Sequence, residues 1–427
     1  MGRKALSFLP LQWKESRFIM GQVVRGGEQF ETAIAADYRG QIIRRGIDSG
    51  EVDAFARKRV SEPYTLFDST MRYNKRPEIW NETIVGSGTS EHNIYQSSVV
   101  MSTTTASGDS VLRRTRRRFP YQPGKSLLTV QSFAGSVPAS GLVQEVGLFD
   151  DDNGIMLRTS GTTVQFVVRG KHSGVVTENA INQSEWNIDT APWLDLSKAN
   201  IFVADLEWLG AGRVRCGFML DGEYYYCHEF LHANNIEQVY MTSAVLPQSY
   251  RIANVDTTAS GATLTQICGT VMSEGGYEPY GEVYTVSPSI GSIANTSGER
   301  IVAGIRMASG RTDNVIIPVK VDLVTEDNTT IKWRLRRNPT TSGVTWLASD
   351  NGRGNVETTS AGTIVSGGTI VNAGLYFSAG SVAINVQDGL SLSLGVNTNN
   401  VSDELFLTVT SSGNAKATGM LGWIETL

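Results

Sequence analysis

From about residue 80 onward, short apolar runs rich in Val, Ile, Thr and aromatic residues recur every 10–15 residues, each closed by Gly, Asn, Asp or Pro. No other feature restricts the fold as much. Segments such as GLVQEVGLF, TVQFVVRG, ANIFVADLEWLG and RVRCGFML are short, β-branched and bounded by turn residues, which reads as strands. Many short strands at such intervals predict an all-β chain organised as a jelly-roll-like β-sandwich. The 44 glycines among 427 residues supply the turns that so many strands require.

Changes in this pattern set the boundaries. Residues 1–79 mix both charge signs without a sustained period and read as an irregular N-terminal arm, a possible anchor. One helix is expected there, in DSGEVDAFARKRV. Asp48 can serve as N-cap with Glu51 three residues on, and Val52, Phe55, Ala56 and Val60 share a face. Residues 80–278 carry the main sandwich. Residues 279–299, dense in Gly, Pro and Ser, read as a linker. Residues 300–427 form a second, smaller β-sandwich, with one hairpin expected around Asp327-Asn328 and another across GTIVSGGTIV.

The net charge of −5 conceals an asymmetry. Residues 1–130 hold 20 Lys and Arg against 13 Asp and Glu, whereas residues 131–280 hold 7 against 17. A basic arm beside an acidic body suggests contact between copies or with an acidic partner. No apolar run of about 18 residues exists, so no membrane span is expected. The N-terminus lacks the apolar core of a secretory signal, so synthesis in a cytoplasm is expected.

Chemistry-bearing patterns are sparse. FDDDNGIML, Phe149 to Leu157, fails as a calcium loop because Phe149 and Ser160 stand where the first and twelfth ligands belong. Asn153-Gly154, flanked by alternating apolar residues, predicts a tight hairpin turn instead. PGKS at 123–126 lacks the earlier glycine of a phosphate-binding loop and precedes a strand, so neither a nucleotide nor any other cofactor is expected. His92, His172, His228 and His232 make no metal-binding spacing, and no metal is expected. Neither a nucleophile elbow nor a distinctive carboxylate pair occurs, which points away from an enzyme.

Two clusters suggest binding. Arg113, Arg114, Arg116, Arg117 and Arg118 place arginine on both faces of one strand, so the expectation is a solvated edge or a contact strand meeting other proteins. Too few aromatics interleave for nucleic acid. If that strand lies outside the core, glutamate at Arg116 and Arg118 would leave the fold intact. Trp193, Trp208, Tyr224, Tyr225 and Tyr226 are candidates for a sugar-stacking surface, although packing is the usual fate of such residues. Around Asp221-Gly222, a two-residue hairpin would pair Leu220 with Glu223. Cys216 would then lie opposite Cys227, close enough for a disulfide that cytoplasmic synthesis disfavours.

Taken together, RRTRRRFPYQPGKSLL, VGLFDDDNGIMLR, WNID, LDLSKANIFVADLEWLGAGRVRCGF, YMTSAVLPQSYRI and LTQICGTVMSEGGY resemble a group of tailed-bacteriophage virion structural proteins, over roughly residues 113–277. The resemblance implies a fibre, head-decoration or baseplate-associated component, assembled in the bacterial cytoplasm and located in the virion. Its partners would be other virion proteins and further copies of itself, a trimer above all. A lectin-like fibre or spike module that binds host surface glycan is the alternative.

Overall fold

The computed structural model describes residues 10–13, 16–25, 28–35, 53, 55, 63–286, 291–293, 298–325, 330–376, 380–383, 391–411 and 415–426. The chain divides into two compact units, residues 1–52 and 53–427. In the first, β1 (Pro10–Trp13), β2 (Ser16–Arg25) and β3 (Glu28–Ala35) form an antiparallel sheet in the order β1-β2-β3. Of the helix expected from Asp48 to Val60, only Asp53 and Phe55 lie among the described residues, and neither is helical.

The second unit opens with the main sandwich. One sheet has seven strands in the order β13 (Thr177–Asn182), β12 (Thr163–Gly170), β11 (Gly154–Ser160), β10 (Leu142–Phe149), β17 (Gln248–Asn254), β8 (Ser110–Thr115) and β5 (Trp80–Val85). The other has eight: β16 (Glu223–Phe230), β15 (Val214–Leu220), β14 (Asn200–Leu206), β9 (Leu127–Ala134), β18 (Ala262–Ser273), β7 (Ser98–Thr103) and β6 (Thr89–Asn93), with β4 (Tyr64–Thr70) also paired to β18. Every pairing is antiparallel. Alternate residues point inward: Val146 and Leu148, Ile155 and Leu157, Phe166 and Val168 from one sheet meet Phe133, Phe202, Val214 and Phe218 from the other in one apolar core. Burial of each such side chain stabilises the sandwich by about 1.5–3 kcal/mol. Strand β4 contributes Leu66 and Phe67 to this core, so the sandwich begins well before residue 80.

The expected linker is also structural. Gly281–Val286 pairs with Ala415–Thr426 in a sheet that includes Val315–Thr325. A second sheet, built on Arg300–Met307, Glu404–Ser411 and Ile331–Arg337, closes the smaller sandwich around Ile305, Leu335, Leu407 and Trp423. Neither hairpin expected here forms. Val315–Thr325 and Ile331–Arg337, the arms of the first, lie in different sheets and do not pair, and its turn at Asp327-Asn328 lies outside the described residues. Thr363–Ser366 and Thr369–Tyr376 lie toward opposite edges of one sheet, separated by three other strands.

FDDDNGIML turns the chain, by a different device from the one expected. Phe149 pairs with Gly154, leaving a four-residue loop, Asp150–Asn153. Asp150 Oδ1 accepts the N–H groups of Asp152 and Asn153 at 2.8 and 2.7 Å. Among the described residues no group of three or more His, Cys, Asp or Glu is placed to hold a metal ion.

The arginine strand is interior. Strand β8 is flanked on both sides, by β17 and β5, and Arg113 is 0% exposed. Its guanidinium donates to Gln266 Oε1 at 2.6 Å, to the Lys75 carbonyl at 2.9 Å and to Glu82. Burial pushes its pKa down to about 10, which leaves it charged at neutral pH. Arg118 is bonded to Asp150 at 2.5 Å, and Arg114 to Asp151 at 2.9 Å. The Arg117 guanidinium lies 5.8 Å from the Phe67 ring. Arg116 pairs with Asp403 of the smaller sandwich. Burial raises the Asp403 carboxyl, but the Arg116 hydrogen bond and charge, helped by Asn338 and Arg337, hold it below the usual carboxylate range. The expectation of a solvated edge or exposed contact strand is therefore corrected: partners distant in sequence neutralise these charges inside the chain.

Candidate functional site: an aromatic ladder that reaches the surface

The five aromatic candidates separate into three places. Strand β16 alternates its side chains, so Tyr224 and Tyr226 face one way and Tyr225 the other. Tyr226 is buried with Leu128 and Val203, its hydroxyl donates to Asp205 Oδ2 at 2.7 Å, and Tyr224 stacks beside it. Trp208 is half-buried against Tyr121, and its Nε1 donates to the Met241 carbonyl at 3.0 Å. On the other side of the strand Tyr225 meets Trp193, with ring centroids 6.4 Å apart and planes crossing at 70°.

These two end a chain of rings that starts in the core. Phe202 packs on Phe218 at 6.3 Å, Phe166 stacks on Trp186 at 4.0 Å, and Trp193 meets Phe218 edge-on at 5.7 Å. At the outer end Trp193 is 37% and Tyr225 39% exposed. Edge-to-face contacts of this kind add about 0.5–1.5 kcal/mol each beyond area burial, and they fix ring orientation.

The segment carrying Trp193 is firmly held. The N–H groups of Ile188 and Asp189 both donate to the Cys227 carbonyl at 3.1 Å. Asn187 exchanges two bonds with the backbone of Glu229, and its own N–H donates to His228 Nδ1 at 3.2 Å. A turn follows in which Leu194 N–H donates to the Ala191 carbonyl at 3.0 Å, with Pro192 in the position its fixed φ suits. Asp189 Oδ1 accepts the Ala191 N–H at 2.7 Å. A rigid aromatic surface of this kind loses little conformational entropy when a ligand docks.

His228 makes this attachment pH-sensitive. Burial pushes its pKa from 6.5 down to about 4. Between those values the unfolded chain takes up a proton that the folded chain refuses, so stability present above pH 6.5 is lost as the pH falls toward 4. Below that range the acidic groups contribute. Hydrogen bonds from Arg158 and Arg169 hold Glu178 down to about 2, so its stabilising effect fades between its usual value of 4.5 and 2. The melting temperature is expected to fall in these two stages on acidification. A His228→Asn variant should lose the upper stage alone, as scanning calorimetry at stepped pH would show.

The cysteines depart from the expected register. Asp221 and Gly222 have positive φ angles of 52° and 85°, and Leu220 pairs with Glu223 as the hairpin signal implies. A bulge then shifts the register between Cys216 and Gly217, placing Cys216 opposite His228 rather than Cys227. Both thiols are free and buried; burial raises Cys216 well above the ordinary range and Cys227 to about 12.

A second concentration of polar groups, missed at the level of sequence, lies on the outer face of the seven-stranded sheet. Glu145 of β10 is buried and bonded to Arg158 at 2.8 Å and Arg251 at 2.9 Å, with Arg169 at 3.5 Å. Burial raises its pKa, but Arg251, Arg158 and Arg169 outweigh that and hold it below the ordinary range. A lone glutamate inside LVQEVGLF was the one available signal.

The described residues thus define an all-β protein: a jelly-roll-like β-sandwich followed by a smaller one. No protein-family model matches the sequence, and no curated protein matches it. Solved structures are similar at low identity. An engineered GH43 glycoside hydrolase shares 12% identity over 60% of this chain and 51% of its own, with a TM-score of 0.29. The CBM2 module of an evolved Dit protein from Lactobacillus casei BL23 phage J-1 shares 10% over 51% of this chain and 99% of its own, with a TM-score of 0.32. A glycosyl hydrolase family protein from Mycobacterium fortuitum shares 8% over 49% and 99%, with a TM-score of 0.36. At such scores the likeness does not extend to what those proteins bind or cleave.

Proposed function

We propose that this chain is a non-enzymatic, glycan-binding protein of a tailed-phage particle, with the Trp193–Tyr225 pair as its sugar-contacting surface. The observation that carries the reading is the ladder itself. Two large rings stand more than a third exposed although the chain pins their supporting segments from both sides. Rings held open on a stiff scaffold suit stacking against the apolar faces of pyranose sugars. The assembly half of the reading is supported by the resemblance of residues 113–277 to virion structural proteins. Since the arginine strand is interior, docking to other virion proteins falls to surfaces other than that strand.

Titration of the full-length protein with host cell-surface polysaccharide, followed by tryptophan fluorescence, tests the glycan half. Trp193→Ala is expected to weaken binding at least tenfold, about 1.4 kcal/mol. Trp208→Phe, remote from the pair, should leave the affinity unchanged. Equal affinity in the wild type and the Trp193→Ala variant would remove Trp193 from the site.

A further inference from the structure

On the outer face of the seven-stranded sheet, a surface pocket of about 390 Å³ opens beside the Glu145 network. Leu112, Phe149 and Val176 give it apolar walls, while Arg114, Asp151 and Arg251 supply charge. Arg114 is only 4% exposed and is held from β8 by Ser249 Oγ at 3.3 Å and Asp151 Oδ1 at 2.9 Å. Its third nitrogen, Nη1, is buried without a hydrogen-bond partner. A buried guanidinium N–H left unbonded is costly, and such groups are rare in folded proteins. Asp151, the partner it does have, is 60% exposed and reaches in from the Asp150–Asn153 loop.

We propose that this pocket binds a carboxylate-bearing sugar of the uronic acid type, with Arg114 as the fork that receives the carboxylate. The assignment rests on the glycan reading above and names a sugar class within it. In the free protein Asp151 occupies one tine of the fork. An incoming carboxylate displaces this exposed side chain and takes both Nη atoms, the bidentate geometry for which guanidinium is suited. The charge balance fits an exchange of one anion for another. Arg114, Arg158, Arg169 and Arg251 face Glu145, Glu178 and Asp151 across this surface, and withdrawal of Asp151 leaves four cations against two anions. Arg251, still partly exposed, offers a second donor at the rim, and Glu178 an acceptor for ring hydroxyls.

Calorimetric titration of the full-length chain with a galacturonic acid tetrasaccharide, and with the matched neutral galactose tetrasaccharide, tests this. The acidic sugar is expected to bind at least tenfold more tightly than the neutral one. Asp151→Asn, which removes the internal competitor at an exposed position, should tighten acidic-sugar binding several-fold. Arg251→Gln should weaken it, and Arg114→Gln should abolish it, with circular dichroism to confirm that the variant folds. Equal binding of both sugars, unaffected by Asp151→Asn, would overturn the carboxylate assignment and leave the glycan reading standing. Binding of neither sugar, with host polysaccharide still bound, would likewise overturn this assignment alone. Failure of every glycan tested would overturn both.

Discussion

Replacement of Arg113 by alanine is expected to destabilise the protein by about 3–5 kcal/mol, the usual consequence of removing one partner from a buried, hydrogen-bonded charge pair. The guanidinium satisfies Gln266 Oε1, the Lys75 carbonyl and Glu82 at once, and it lies 5.7 Å from the Trp80 ring. Its loss leaves Gln266, which is fully buried, facing an apolar gap. Urea titration followed by intrinsic fluorescence would show the midpoint falling sharply. A change within about 0.5 kcal/mol, typical of a surface position, would instead restore the picture of an exposed contact strand. The same reasoning reverses the expectation for Arg116 and Arg118. Glutamate at both would face Asp403 and Asp150 across short contacts and break the fold, so a failure to assemble could not be read as loss of a docking surface.

Asp205→Ala is expected to cost a similar amount, about 3–5 kcal/mol. Asp205 and Arg215 are both 0% exposed; Arg215 Nε donates to Asp205 Oδ1 at 2.9 Å, and the Tyr226 hydroxyl donates to Oδ2 at 2.7 Å. Removal of the carboxylate takes the Asp205 charge away from the buried Arg215 guanidinium beside the Tyr226 ring. Because this pair sits on the face of β14 and β15 opposite the main core, the loss should appear in global stability while the core aromatic contacts persist. Near-ultraviolet circular dichroism at low denaturant, alongside urea titration, separates the two effects.

The sequence revealed local structure better than long-range structure. Strands β9 to β12, β14 to β16 and the register at Asp221-Gly222 were legible because strand period and turn chemistry act over a few residues. The bulge beside Cys216 was not. It depends on the close approach of Gly217 to Tyr225, where a Cβ would lie 2.0 Å from the carbonyl oxygen. The arginine strand misled for a related reason. Charge on both faces ordinarily means exposure, but the partners of Arg113, Arg114, Arg116 and Arg118 lie 31 to 287 residues away and cannot be read locally. For the site, Trp193 and Tyr225 were visible as residue types. Their separation from Trp208 and Tyr226 required knowing which side of β16 each ring takes and how the 183–196 segment folds back on it. The pocket at Arg114 needs the pairing of β8, β17, β10, β11 and β12, which no short-range pattern supplies.

The exposed end of the aromatic ladder is proposed to bind glycan. The most direct measurement is the affinity of the intact protein for purified host surface polysaccharide, by isothermal titration calorimetry, in wild type and in Trp193→Ala and Tyr225→Ala variants of unchanged melting temperature. Saturable binding that falls at least tenfold in each variant is the predicted result. Binding of equal strength in all three proteins, or no saturable binding by the wild type, would contradict it.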